Sequence, residues 1–241
     1  MHLNLAGDAL ICVLVRGRAS ATMNPRARAG AVLDPVPATR RGLRLGLRGV
    51  SLSTLVVVSH PDIAHSRAHQ RLLAAIAGLP DVAIRHLEAL YPDSRIDAVA
   101  EQAAALQAVR IVFQFPLYWF STPPMLKAWQ DAVYAVGFAY GPGGARLRGK
   151  ALQLVLTAGG TEEKYRPGGH NRYEIADLLR PLETAAHFVG MTMLPPFVLF
   201  HVPNVAGIPV PADVDTRIEG FARRYRDLLT APAPLASGAH A

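Results

Sequence analysis

Three stretches concentrate the polar, aromatic and glycine residues that could handle a ligand. The first holds His60, Pro61 and Asp62, then Ser66, Arg67, Ala68 and His69. Ser66 stands where a helix would begin, so its hydroxyl can cap the first turn. A helix start offers free backbone N–H groups to an anion. A hydroxyl, a histidine and an arginine around it suit a single monophosphate. The same residues also fit an ordinary cap with solvent-facing histidines. The second stretch holds Pro116, Leu117, Tyr118, Trp119 and Phe120 and runs on to Pro124, with aromatics far above the chain's 7%. Such a rigid loop can give flat apolar walls and backbone donors to a planar heterocycle, or it can plug the space under a following helix. The third holds Thr157, Ala158, Gly159 and Gly160, followed by Tyr165 and His170. Paired glycines let a backbone approach a ligand closely. A phenol and an imidazole can donate hydrogen bonds to a substrate that gains negative charge on reduction. Without that context the segment reads as a charged surface loop.

Other chemistries lack their residues. No GxxxxGK[ST] or GxGxxG follows a strand, which argues against a P-loop and against a dinucleotide pyrophosphate held on a glycine turn. No GxSxG elbow occurs. His60, His65 and His69 have no cysteine or third ligand at metal spacing, so no metal site is expected.

Positioning three such loops together calls for a particular arrangement of elements. Residues 54–59, 82–87, 110–115, 151–156 and 193–199 read as strands, the last interrupted by Pro195 and Pro196. Helical spacing fills 66–78, a segment capped by Asp97, 123–136, 173–189 with a kink expected at Pro181, and 213–229. Strands alternating with helices predict a parallel sheet covered on both faces. Five strands with one ligand point favour a doubly wound α/β sheet of order 2-1-3-4-5. Ligands then bind beyond the carboxyl ends of the strands, and the three loops follow strands one, three and four.

The chain ends differ from this body. Residues 1–50 carry eight arginines against Asp8 and Asp34, a net of +6, which leaves +1 of the total +7 for the other 191 residues. A nucleic-acid face belongs on the folded body, so the charge argues for no nucleic-acid partner. Residues 10–15 are apolar but too short to span a bilayer, and their arginines follow rather than precede them, unlike a secretory signal. Residues 1–50 are expected to be a disordered extension, with a start at Met23 or later as an alternative. Residues 231–241 are expected to be a flexible Ala/Pro tail, leaving 51–230 as the domain. The single cysteine, Cys12, excludes an internal disulfide framework and fits the cytoplasm.

The blocks His60-Pro61 with Ser66, Tyr91-Pro92-Asp93, 116–121 with Pro123 and 126–129, 138–141, 147–150 and 157–160 together resemble the flavodoxin-like NAD(P)H:quinone oxidoreductases. Both the bacterial potassium-efflux ancillary type and the animal quinone reductases share the pattern, over roughly 54–229. The resemblance implies a flavodoxin-like fold and a flavin. His60 and Ser66, Arg67, Ala68 and His69 would hold its phosphate end. Pro116 and Leu117 to Phe120 would line the ring, and Thr157 to Gly160 would meet its pyrimidine side. Tyr165 and His170 fall near a catalytic tyrosine and histidine of animal members, His170 displaced by one residue. Bacterial members often carry asparagine where His69 stands and glutamine where Tyr118 stands. The implied reaction moves hydride from NADPH or NADH to the flavin and on to a quinone-like acceptor. FMN is preferred over FAD, because the chain aligns with the shorter bacterial type and no segment reads as an adenine site. A homodimer is implied, with the pocket at its interface. A potassium-efflux antiporter is a further implied partner, which would bring the protein to the inner face of the plasma membrane. A non-enzymatic electron carrier, a regulatory ancillary subunit, and azo- or nitroreduction remain as alternatives.

Overall fold

A computed structural model describes residues 53–203 and 207–232. The expected extension 1–50, and all of the expected tail except its first two residues, lie outside the described residues.

Six strands form one parallel sheet: β1 (Ser53–Val58), β2 (Val82–His86), β3 (Ala108–Pro116), β4 (Ala151–Thr157), β5 (Thr192–Met193) and β6 (Phe197–Leu199). Their order is β2-β1-β3-β4-β5, with β6 also pairing β4. This is the doubly wound, flavodoxin-like order expected from the alternation. The fifth position, anticipated over 193–199 with an interruption at Pro195 and Pro196, is divided at those prolines. It is filled by two short pieces, both hydrogen-bonded to β4. Pro195 and Pro196 between them have no N–H to give to the ladder. The Gln153 amide of β4 donates to the Pro195 carbonyl at 2.8 Å and closes the gap.

The helices are α1 (Arg67–Ile76), α2 (Leu87–Leu90), α3 (Ala98–Gln107), α4 (Pro124–Val133), α5 (Ile175–Phe188) and α6 (Val214–Thr230). The strand period of two sorts the core into two layers. Leu55, Val57, Ile111, Phe113, Leu154 and Leu156 pack with residues of α3, α4 and α5. Val56, Val58, Val112 and Val155 pack with α1 and α6 on the other face. α4 stops three residues before the expected 136, as Tyr134 leaves helical geometry. α5 runs on through Pro181, which is exposed on its surface. The one-turn α2 carries no periodic pattern and was not anticipated.

Candidate active site

The carboxyl ends of β1, β3 and β4 open onto a cavity of about 370 Å³, within the range of small-molecule sites. Each of the three loops contributes to its wall. From the first come His60, Ser66, Arg67, Ala68 and His69; from the second, Pro116, Leu117 and Tyr118; from the third, Thr157 and Gly159.

The first loop enters α1 through a short 3-10 turn, Ile63–His65. Ser66 caps α1, its Oγ accepting from the His69 N–H at 3.2 Å. The N–H groups of Arg67 and Ala68 lie in the first turn, where no intrahelical acceptor exists. The cavity therefore meets the positive end of the helix dipole. His60 Nδ1 accepts the Asp62 N–H at 3.1 Å. A neutral His60 consequently carries its proton on Nε2. Burial lowers the His60 pKa, and the carboxylates of Glu88 and Asp62 oppose that shift. The Arg67 guanidinium is half-exposed and reaches Asp215 at 3.2 Å.

His69 stands edge-on to His60 at 4.9 Å between ring centroids. It is 1% exposed. Burial, with a smaller contribution from the neighbouring His60, pushes its pKa down to about 3, so the ring is neutral. Its Nε2 lies 3.1 Å from Thr157 Oγ1 and its Nδ1 lies 3.3 Å from the Gln114 amide nitrogen.

In the second loop, Leu117 N–H donates to the Thr157 carbonyl at 2.8 Å. Tyr118 and Ser121 exchange backbone hydrogen bonds of 2.9 and 3.0 Å around a two-residue turn. Its central residues, Trp119 and Phe120, sit at φ of 48° and 62°, a conformation better suited to Asn-Gly. The backbone donors of Leu117 and Tyr118 are thus spent within the protein. Trp119 is 84% exposed and Phe120 47%. Neither lines the cavity, whose wall keeps only Tyr118 of the aromatic run.

In the third loop, Ala158 is buried, and its N–H and C=O bond to Leu199 and Val202. It fixes the loop beneath the cavity rather than lining it. A Cβ on Gly160 would come within 3.3 Å of the Tyr165 ring, so this glycine makes room for the tyrosine. A Cβ on Gly159 would meet only ordinary contacts with Pro203 and Val202. Tyr165 leans on Phe200 at 5.6 Å. Burial raises its pKa, opposed by a hydrogen bond with the Gly160 backbone. Its ring borders a second hollow of about 480 Å³ with Glu162, Arg166, Glu174 and Phe200. His170 is exposed and borders neither hollow. The residues between them fold back on themselves, with Asn171 N–H bonded to the Lys164 carbonyl. The structure therefore gathers ten of the expected site residues on one cavity and leaves Trp119, Phe120, Ala158, Gly160, Tyr165 and His170 off its wall.

Sequence reasoning missed Val202 and Pro203, which line the cavity from beyond β6. The fifth strand was read as ending at Leu199, but the rule that ligand loops follow the carboxyl ends of strands was applied only after strands one, three and four. It also missed Gln114, a polar residue in an otherwise apolar buried strand. Among the described residues no group of His, Cys, Asp or Glu could hold a metal ion.

The donors and the shape fit FMN. A helix start and the His60 Nε2–H suit a phosphate, and Leu117, Tyr118, Thr157 and Gly159 line the same cavity.

A family model described as flavodoxin-like fold matches residues 53–229. An uncharacterised NAD(P)H oxidoreductase of Bacillus subtilis, YdeQ, is 41% identical over 174 residues, covering 72% of this chain and 84% of that protein. The glutathione-regulated potassium-efflux system ancillary protein KefF of Salmonella arizonae is 41% identical over 177 residues, 73% of this chain and 95% of KefF. Among solved structures, general stress protein 14 of Treponema denticola in complex with FMN superposes with a TM-score of 0.68 at 32% identity, over 74% of this chain and 98% of that one. An NADPH-quinone reductase of P. pentosaceus gives 0.65 at 29% identity, over 75% and 99%. With a topology, a three-loop cavity and relatives that agree, the chain belongs to the family with the flavodoxin-like fold.

Proposed function

We propose that this protein is an NAD(P)H-dependent oxidoreductase that binds FMN in the three-loop cavity and reduces quinone-like acceptors by two-electron hydride transfer. The observation that carries this reading is the joining, in one cavity, of a helix start to a wall formed by Leu117 and Tyr118. When bound, FMN supplies a ring that accepts hydride from NADPH or NADH and passes it on.

The residues of the chain hold and orient. The α1 N-terminus and the His60 Nε2–H bind phosphate oxygens. Leu117 and Tyr118 wall the ring, and Gly159 leaves space on its other side for substrate to approach. Tyr165 and His170 act on the substrate rather than on the cofactor. The phenol packs against Gly160, the neighbour of the cavity-lining Gly159, and its O–H would donate to an oxygen that gains charge. His170 lies on the same segment, exposed and off the cavity wall. Residues 51–230 form the functional domain in this reading, and the extension and tail are dispensable.

A second copy of the chain would cover Tyr118, Trp119 and Phe120, and the homodimer would close the open side of the cavity. No helix among the described residues is long and apolar enough to cross a membrane. The likeness to KefF supports a second role beside catalysis, as a cytoplasmic ancillary subunit docked on a potassium-efflux antiporter at the inner face of the plasma membrane. Co-purification with such a transporter would support that role, and a protein that never associates with one would remove it.

The test is a visible spectrum of the purified protein, followed by NADPH and NADH oxidation with a quinone. Flavin absorbance and quinone-dependent turnover are expected, with Tyr165→Phe lowering kcat by about tenfold or more. A colourless protein that neither FMN nor FAD can reconstitute would sink the reading. Recovered FAD would overturn the choice of cofactor, and a flavin that NADPH leaves oxidised would favour an electron carrier.

A further inference from the structure

Three buried polar side chains run in line beneath the cavity, and holding a phosphate and a ring does not by itself require them. Gln114 comes from β3, His69 from α1 and Thr157 from β4. Gln114 and Thr157 lie on the sheet face that α1 covers, in phase with Val112 and Val155. Gln114 is 0% exposed, His69 1% and Thr157 6%. The Gln114 amide nitrogen is 3.3 Å from His69 Nδ1, and His69 Nε2 is 3.1 Å from Thr157 Oγ1. Burying such a row is unfavourable unless its donors and acceptors are paired.

The direction of the chain decides what it offers the cavity. An amide nitrogen only donates, so His69 Nδ1 accepts and the proton of the neutral ring sits on Nε2. That N–H points at Thr157 Oγ1. A hydroxyl that has accepted one bond still has its own hydrogen to give, and Thr157 borders the cavity. Reversing the Gln114 amide would reverse every bond in the row, and Thr157 would then spend its hydrogen on His69. The Gln114 Oε1 is buried without a partner. Turned toward His69, that oxygen would be satisfied, but the amide nitrogen would take its closed position with two hydrogens and no acceptor. The observed orientation strands the oxygen and one N–H, the reversed one both N–H hydrogens, and a carbonyl oxygen is the less costly group to leave unpaired.

We propose that Gln114 and His69 are positioning residues that turn the Thr157 hydroxyl hydrogen into the cavity, as a fixed donor to an oxygen of bound FMN. The inference rests on the FMN reading above. His69 stays neutral through the physiological range because burial holds its pKa near 3. The polarity of the row therefore does not reverse with pH.

The test is titration of apoprotein with FMN, followed by flavin fluorescence, for wild type, Thr157→Val, Thr157→Ser, His69→Leu and the double variant Thr157→Val with His69→Leu. Valine matches threonine in shape and lacks the hydroxyl; serine restores it. Thr157→Val is expected to weaken binding about tenfold, the loss of one directed buried hydrogen bond, and Thr157→Ser to bind within about twofold of wild type by the same reasoning. His69→Leu is expected to lose as much as Thr157→Val, and the double variant no more than either, since both remove one donor. Equal affinity of the valine and serine variants would overturn the positioning role, and that comparison decides alone should His69→Leu not fold. Losses that multiply in the double variant would overturn it as well. Wild-type protein that takes up no FMN would sink the flavin reading itself; wild type that binds while Thr157→Val is unchanged would overturn this inference alone.

Discussion

A buried neutral histidine couples this protein's stability to pH. In the unfolded chain His69 takes up a proton below its ordinary value of 6.5, whereas the folded chain resists until about 3. The unfolded state binds more protons between those values, so stability is complete above 6.5 and falls as pH drops toward 3. His60 is shifted in the same direction by burial and steepens the fall. Between pH 7.5 and about 5 the His69 contribution should diminish by roughly 2 kcal/mol. Urea unfolding of wild type and His69→Gln at both pH values checks this; parallel losses in the two proteins would remove His69 as the cause. The identities of such residues were legible in the sequence, but their tasks were not. His69 was read as holding phosphate, yet its ring nitrogens face Gln114 and Thr157. Gly160 was read as making room for a ligand, yet the atom it makes room for belongs to Tyr165. A side chain's partner depends on which neighbour the fold brings within about 3 Å, the reach of a hydrogen bond, and spacing along the chain carries little of that.

The elements are held together by polar anchors as well as by the two apolar layers. Glu101 of α3 is 0% exposed. It accepts from Arg85 of β2 and the Tyr91 hydroxyl, each at 2.6 Å, and from the Trp129 indole of α4 at 2.8 Å. One carboxylate thus pins a strand, two helices and the turn after α2. Replacing it leaves the Arg85 charge and the indole N–H without their acceptor. Glu101→Ala is expected to destabilise the fold by about 3–5 kcal/mol, while Glu101→Gln, which keeps the shape, should cost less. Thermal unfolding monitored by circular dichroism checks this; a loss under about 1 kcal/mol, the scale of an exposed pair, would sink the anchoring role. The helices α1 and α3 were legible because Ser66 and Asp97 cap them and their apolar residues repeat at helical spacing. The break in the last strand was legible from Pro195 and Pro196; the early end of α4 was not. That end follows from where Tyr134 meets the packed core, which local propensity does not report.

At the scale of the whole molecule, the exposed aromatics ask for a partner. Tyr118, Trp119 and Phe120 are all exposed, and Trp119 and Phe120 hold a positive φ that non-glycine residues adopt at a penalty of about 1 kcal/mol or more each. A second copy that buries them would offset that penalty. Sedimentation is expected to give a dimer for the full chain, the same dimer for a chain lacking residues 1–50, and a monomer or weakened dimer for Trp119→Asp. A full chain that sediments as a monomer with flavin bound and turnover intact would sink the dimer proposal.

The sequence by itself determined the architecture: alternating buried strands and amphipathic helices specify a doubly wound sheet, and the sheet order places the loops after β1, β3 and β4 together. It also singled out the three loops that line the cavity, because helix caps, aromatic turns and paired glycines are local patterns. Only the tertiary structure decided which atoms face the cavity. It left Trp119 and Phe120 off the cavity wall, set Tyr165 behind Gly160, brought in Val202 and Pro203, and lined up Gln114, His69 and Thr157. The reason is physical: backbone pattern follows from short-range sterics and burial, whereas the direction of a hydrogen bond follows from three-dimensional neighbours contributed by segments far apart in the chain.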